Sequence, residues 1–447
     1  MAELQDAAIL AEAGKHQEAS KILHKFLNRN PEDVKAVYIL GEILLKEECY
    51  GLANVIFKYC CEKMPGQWEC WNNLGRCQEE IYRWDDAEKS FQEALKLNTK
   101  NSFALGNMGM IAVNKAQPEK AISLINKAIA IEPDNQGFRF NRGLAHLMLR
   151  NWRQGWVDYE THLGKSRERK ERKYQLEGEL EPRWDGSKDK TIICYGEQGI
   201  GDQINFASCL PDLIRDSKRV VIDIDKRLQG LFQRSFPTAE VHGDLYNDHP
   251  TWLGEHVDAG VAIGGLPNFY RNADEDFPGN PYLVADPERR IQWRALFDSL
   301  PGKKIGLAWN GGVFRTGHHR RSLSLEQLKP MFAMNPGNTW VSLEYKEPEL
   351  RGFEFIKHWQ RGPMASDYDD TAAMVAELDL VVTVQTAIVH LSGALGVKCF
   401  CMVPDRPRFI YLLEGEKMPW YGSIKLFRQK FGKWPIPQVA QEIKCLP

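Results

Sequence analysis

Along the first third of the chain, small and large apolar positions return at a fixed interval of 34 residues: Gly41, Gly75, Gly109 and Gly143 mark one phase. Ala53, Ala87 and Ala121 follow twelve residues after the first three, with Gly155 at that offset from the fourth. Phe57, Phe91, Ile125 and Tyr159 come four residues later still. Pro31, Pro65 and Pro133 close three of the units, Thr99 stands in proline's place in another, and Ala7, Ala19 and Leu23 hold the same phases in an earlier, weaker unit. Small residues at two phases let paired helices approach closely, large residues fill the space between them, and proline ends the second helix. The period predicts five helical hairpins over residues 1–164, stacked as an α-solenoid.

The pattern then changes. The run GKSRERKERKYQLEGELEPRWDG is dense in both charge signs, so residues 165–189 read as a solvated helix followed by a linker, with Arg183 and Trp184 docking the linker onto the next domain. Beyond it, short β-branched runs alternate with helical stretches. Strands are expected at Thr191–Tyr195, 220–224, Glu240–His242 and 257–263, with helices after Asp202 and through Arg234, giving a mostly parallel, doubly wound lobe over 190–300. A helix over 289–301 leads into a second such lobe, 301–447. Its strands are expected at 304–309, 339–343, 380–384 and 398–403, and its helices near 325–334, 371–378 and 386–395. Two lobes in tandem leave a cleft between their strand ends, where pockets tend to lie.

Candidate chemistry gathers at those strand ends. In TIICYGEQGIGD a buried strand runs into Gly196, Gly199 and Gly201, and Asp202 faces the mouth they form. An acidic residue behind glycines suits acid/base work, and it suits helix capping equally well. The glycines run G-x-x-G-x-G, which is neither a dinucleotide fingerprint nor a Walker loop. In the second lobe, Thr386 and His390 lie four apart where a strand enters a helix, on one face of its first turns, beside backbone N–H groups suited to an anion. A lone histidine there is also a common structural residue. Asn310, Gly311 and Gly312 form another glycine mouth, and Arg320, Arg321 and Ser322 read as a phosphate clamp or a solvated basic loop. Glu344 after a strand, and Asp370 with Thr371 at a helix start, read as ligand contacts or as caps.

Composition narrows the classes. A formal charge of −2 and a pI near 6.6 give no basic footprint for nucleic acid. No uncharged apolar run approaches the roughly 18 residues of a membrane helix, and MAELQDAAIL has no basic region before its apolar residues, so a cytoplasmic protein without a membrane span is expected. The 10 cysteines form no C-x-x-C pair. They read as buried thiols, and no metal or other cofactor is expected.

Two resemblances follow from these residues. The 34-residue unit resembles the tetratricopeptide repeat, with Trp71, Leu74, Gly75, Ala87, Phe91 and Ala94 matching best. Such repeats use a concave face to bind an extended peptide or another protein. Taken together, PRWDGS, YGEQGIGDQINFASCLP, IGLAWNGG, RRSLSLEQLKPMF, WVSLEY, DYDDTAAMVAELDLVVTVQTAIVHLSGALG and MPWYGSIKLFRQKFGKW resemble the tetratricopeptide-repeat glycosyltransferases with a heptosyltransferase-like (glycosyltransferase family 9-like) half.

That resemblance implies a GT-B fold of two Rossmann-like lobes, the first on the acceptor side and the second on the nucleotide-sugar side. It implies an inverting, metal-independent hexosyl or heptosyl transfer from a nucleotide sugar to a protein or glycan acceptor presented by the repeats. Asp202 would be the base and His390 a leaving-group contact. Gly199, Gly201, Gln203, Asn310, Gly311, Arg320, Arg321, Ser322, Glu344, Asp370, Thr371, Gln385 and Thr386 would line the substrate and nucleotide site. Two segments depart from the family pattern: Gln385 replaces an Asp, and Thr316-Gly317-His318-His319-Arg320 replaces an Asn-Asp-Arg-rich stretch. These departures keep open a second reading, an inactive GT-B scaffold that binds a protein partner. The donor, the acceptor and the presence of a homo-oligomer are not encoded in any motif.

Overall fold

The structure, a computed structural model, describes the chain except residues 1, 166–168, 173, 177–178, 181, 248–249, 251–256, 313–316, 364–366 and 447. It divides into two compact units, Met1–His146 and Leu147–Pro447. The division falls inside the helix Gln136–Met148, upstream of the change in sequence pattern at 164/165.

The first unit is helical among its described residues. Helices pair as Ala2–Glu12 with His16–Arg29, Val34–Lys46 with Tyr50–Lys63, Trp68–Glu80 with Trp84–Leu97, and Ser102–Asn114 with Pro118–Ile131, before Gln136–Met148 begins. Local chemistry starts several of them. The side chains of Asp33 and Asn101 accept hydrogen bonds from the N–H groups of Ala36 and Ala104, and Pro118 opens its helix with the fixed φ that suits a first turn.

The 34-residue glycine phase is a packing requirement. A Cβ on Gly75 would stand 2.7 Å from the Phe91 ring, and one on Gly41 would stand 2.9 Å from Ile56. Between the pairs lies a buried cluster that includes Phe57, Cys60, Cys61, Cys70, Leu74 and Cys77. These thiols serve as small apolar residues, and burial pushes Cys61 and Cys77 up to about 12.

The second unit opens with the helix Trp152–Glu160 and carries twelve strands among its described residues. They are β1 (Gln175–Leu176), β2 (Glu179–Leu180), β3 (Thr191–Tyr195), β4 (Arg219–Asp223), β5 (Glu240–His242), β6 (Ala259–Ala262), β7 (Lys304–Ala308), β8 (Thr339–Ser342), β9 (Leu380–Thr383), β10 (Cys399–Val403), β11 (Lys417–Met418) and β12 (Tyr421–Arg428). Four of them form a parallel sheet in the order β5-β4-β3-β6. Six form a second sheet, β11-β12-β10-β9-β7-β8, parallel except for β11 against β12. Strands β3 and β10 are buried along their whole length, as expected for parallel strands covered on both faces.

Three expectations need correction. The helix placed after Asp202 instead begins at Ile200, ends at Phe206, passes through a 3₁₀ turn and restarts as Leu210–Asp216, because Pro211 cannot supply an interior N–H. The described residues of 165–189 contain no helix. They hold the antiparallel β1-β2 pair, together with Arg169, whose side chain is only 2% exposed. That guanidinium donates to the Tyr159 carbonyl at 2.7 Å, to Glu160 at 2.8 Å and to Glu197 at 3.3 Å, and it stacks 4.2 Å from the Tyr159 ring centroid. A run that reads as surface charge thus includes a buried ion network. Finally, β12 and the helix Ile436–Lys444 extend the second lobe beyond the expected elements. Arg183 and Trp184 do dock: Trp184 donates its backbone N–H to the Gly260 carbonyl at 2.8 Å, and its ring packs 4.5 Å from Phe269.

The glycine phase gives the first prediction. Gly75→Ala should destabilise the repeats by about 1–3 kcal/mol through overpacking, and adding Phe91→Leu should recover most of that loss. Urea unfolding of the single and double variants checks it; equal stability of Gly75→Ala and wild type would refute the packing argument.

Candidate functional site

The carboxyl ends of the two sheets face a cavity of about 450 Å³ inside the second unit. One wall comes from the first sheet. Strand β3 ends at Tyr195, Gly199 adopts an extended conformation as the cap, and Ile200, Gly201 and Asp202 form the first turn of the helix. Asp202 is the third helical residue. It makes no capping hydrogen bond, and among the described residues its carboxylate has no hydrogen-bond or ion-pair partner. Asp202 is therefore not a cap, and it lines the cavity.

The facing wall comes from the second sheet. Strand β9 ends at Thr383, and Thr386 caps the helix Ala387–Leu395 by accepting from the Ile388 N–H at 3.2 Å. Thr386, Ala387, Ile388 and His390 all line the cavity. A Cβ on Gly201 would stand 3.2 Å from the Ala387 Cα and 3.4 Å from His390 Cδ2, so glycine lets the two helix starts meet almost backbone to backbone.

His390 is 6% exposed. Its Nδ1 lies 3.3 Å from the Tyr421 hydroxyl, which donates to Asn205 at 3.2 Å and lies 3.3 Å from the Tyr282 hydroxyl. Tyr282 in turn donates to the Ile204 carbonyl at 2.6 Å. Tyr421 has one proton, given to Asn205, so a bond to His390 requires the imidazole to donate from Nδ1. Burial, with Arg408 nearby, pushes the His390 pKa down to about 3, so the ring is neutral at neutral pH.

Charge in the cavity comes from Arg321, Arg408, Arg227 and Glu344 besides Asp202. Arg321 donates to the Gln385 carbonyl at 3.3 Å, and burial together with Arg408 lowers its pKa. Arg227 is held by Asp225 through two bonds of 2.9 Å. Glu344 accepts from the N–H groups of Trp309 and Asn310 at 2.8 and 3.0 Å, while burial raises its pKa. Gln385 is 2% exposed, and among the described residues its Nε2 has no hydrogen-bond partner.

The structure thus brings Gly201, Asp202, Asn310, Arg321, Glu344, Thr371, Gln385, Thr386 and His390 to one cavity. Others named from the sequence sit elsewhere, for clear reasons. Gln203 is fully buried, donating to the Gln198 carbonyl at 2.7 Å and accepting from the Asp225 N–H at 3.0 Å, so it braces the glycine loop. Gly199 is the helix cap behind that turn. Gly311 donates to Ser322 Oγ at 2.9 Å, and a Cβ there would strike Arg321, so Gly311 and Ser322 position Arg321 from outside the cavity lining. Asp370 accepts from the Trp293 indole at 2.9 Å and the Gly362 N–H at 2.7 Å, which makes it a structural acceptor. Arg320 and His319 lie outside the lining, and Thr316 lies outside the described residues. Sequence reasoning missed Arg408, Tyr411, Arg227 and Tyr368. The available signal for Arg408 was an arginine beside Pro407, five residues beyond a buried strand.

Among the described residues, no group of three or more His, Cys, Asp or Glu could hold a metal ion, and no helix is long and apolar enough to cross a membrane. Residues 68–101 and 104–135 each match a tetratricopeptide repeat family model. The N-terminal region therefore carries tetratricopeptide repeats, a scaffold capable of protein interaction. The chain is 27% identical over 446 residues to Protein FlbA of Caulobacter vibrioides, covering 93% of this chain and 73% of that protein. It is 29% identical to BBSome complex member BBS4 of Bos taurus over 29% of this chain and 23% of that protein. Among solved structures, a thermophilic TPR protein of Thermus thermophilus covers 37% of this chain and 90% of its own at 19% identity, with a TM-score of 0.32.

His390 gives a pH prediction. Its folded pKa lies below the ordinary 6.5, so the unfolded state binds the extra proton, and stability is lost as pH falls from about 6.5 towards about 3. Between pH 7 and pH 5 this site should cost about 2 kcal/mol. Urea unfolding at both values should show His390→Gln losing correspondingly less than wild type. Equal losses would mean that the imidazole is not buried neutral.

Proposed function

We propose that the second unit is a GT-B glycosyltransferase module that moves a sugar from a nucleotide-sugar donor to an acceptor hydroxyl. The observation that carries this reading is one cavity in which the Asp202 carboxylate, without a partner among the described residues, meets the Thr386-capped helix start and His390. Two sheets facing that cavity, one parallel and one parallel except at its β11 edge, support the fold assignment.

The chemistry follows from the residues. Asp202 takes the proton of the acceptor hydroxyl, the acceptor oxygen bonds to the anomeric carbon, and the bond from that carbon to the diphosphate oxygen breaks. The electron pair leaves on the nucleoside diphosphate. Displacement from the opposite face inverts the anomeric centre. The growing negative charge on the leaving group is met by the N–H groups of the Ala387–Leu395 helix and by Arg321. A neutral His390, donating from Nδ1 to Tyr421, keeps its other nitrogen as an acceptor, which suits a hydroxyl of the sugar. The chain needs no metal for these steps. The repeats would present the acceptor, a protein or a glycan attached to one. A second reading, a scaffold with an idle cavity, draws on Gln385, an amide where the resembled family carries a carboxylate.

The test uses purified full-length protein and a panel of nucleoside diphosphates and nucleotide sugars. A ligand at one hundred times its Kd should add about 2.7 kcal/mol of stability, seen as a thermal shift. With a turned-over donor, Asp202→Asn should lower the rate by about 10²–10⁴ while leaving donor affinity within a few-fold. Transfer at the wild-type rate would remove Asp202 as the base, and failure of every nucleotide to bind would return the protein to the scaffold reading.

A further inference from the structure

Among the described residues, two donors in the cavity have no acceptor, and one of them was marked by no motif. Arg408 follows β10 in the segment Pro404-Asp405-Arg406-Pro407-Arg408. It lines the cavity, its side chain is exposed, and among the described residues it makes no hydrogen bond or ion pair. Its backbone is nevertheless fixed. The Arg408 carbonyl accepts from the Tyr411 N–H at 3.0 Å, and the ring of the next residue, Phe409, packs 6.0 Å from Trp156 and 5.9 Å from Tyr159. A long cation anchored at its root, with its head on the cavity wall and the Asp202 carboxylate as its leading electrostatic influence, can reach an anionic ligand.

The second donor is Gln385 Nε2. At 2% exposure, with no hydrogen-bond partner among the described residues, a buried amide N–H bears a desolvation cost that a ligand acceptor would remove. Both donors belong to the lobe that carries Arg321 and the Thr386-capped helix start.

We propose that Arg408 and Gln385 Nε2 together hold the anionic oxygens of the ligand, Arg408 as the charge that meets the leaving diphosphate and Gln385 as a neutral donor that fixes its orientation. This deepens the glycosyl-transfer reading and rests on it. Two further facts agree. Burial and Arg408 lower the pKa of Arg321, so an anion between these guanidiniums would relieve their mutual repulsion. The Asp202 carboxylate is the first influence on Arg408, raising its pKa, which places the general base and the charge for the leaving group in one electrostatic neighbourhood.

The experiment is calorimetric titration of the full-length protein with inorganic pyrophosphate, with the nucleoside diphosphate that binds best, and with the corresponding nucleoside. Arg408→Met should weaken pyrophosphate and nucleoside diphosphate at least tenfold, about 1.4 kcal/mol, and leave nucleoside affinity unchanged. Arg408→Lys should restore part of the loss, because a point charge replaces the fork. Gln385→Met, close in volume, should weaken both anions several-fold without reducing thermal stability. If nucleoside diphosphate binds wild type and Arg408→Met with equal affinity, Arg408 is not the anion contact, although the transferase reading stands. If Gln385→Met leaves anion affinity unchanged, Gln385 is not the second donor. If wild type binds neither pyrophosphate nor any nucleoside diphosphate, the transferase reading and this cradle fall together.

Discussion

The cavity exists because two helix starts touch where one of them has no side chain. Gly201 lies against Ala387 at a distance that a Cβ would reduce to 3.2 Å from the Ala387 backbone carbon. That approach sets Asp202 from one lobe and Thr386 with His390 from the other on facing walls, and it brings the N-terminal turn of a nine-residue helix to the same space. A bulkier residue at 201 would part the lobes and separate the groups on which any reaction here relies.

Behind that contact, buried polar groups are linked to one another, and they hold the lobes in register. Tyr421 of β12 reaches Asn205 and Tyr282 from the first-lobe side and His390 from the second, so one phenol ties the rear of both walls. Arg169 with Glu160 and Glu197 fixes the glycine loop from a third direction. Burial raises the Glu197 pKa, while Arg169 opposes that rise. Removing one member of such a set leaves a buried charge without its counterpart, which is far more disruptive than the net strength of the pair implies.

Much of this was legible in the sequence, because the signals were periodic or local. The 34-residue spacing reports helix-on-helix contact, and Gly75 over Phe91 is that contact seen directly. Strand β5 and the helix Leu325–Met334 fall on their expected residues because alternation and capping residues are short-range features. Asp202, Thr386 and His390 were legible because each follows a strand end. Arg169 was not, since a charge in a charged run gives no sign that the chain will fold over it. Gln203, Gly311 and Asp370 were read as ligand contacts because polar residues and glycines beside a motif look alike whether they face a cavity or brace its rim. Arg408 carries the opposite lesson: its place in the cavity depends on aromatic packing from residues 156 and 159, some 250 positions earlier, which no local pattern encodes.

Trp156 carries one last implication. It is 1% exposed, its indole donates to the Arg271 carbonyl at 2.7 Å, and its neighbours include Phe206, Phe409 and Trp420. The helix bearing it continues the repeat period, with Gly155 and Tyr159 in phase, yet it belongs to the sheet-bearing unit. The sequence period therefore runs on past the boundary at which the compact unit changes. Cutting the chain where the sequence pattern changes, at 164/165, would take Trp156 out of the core of the sheet-bearing unit, whereas a cut at 146/147 would leave that core whole.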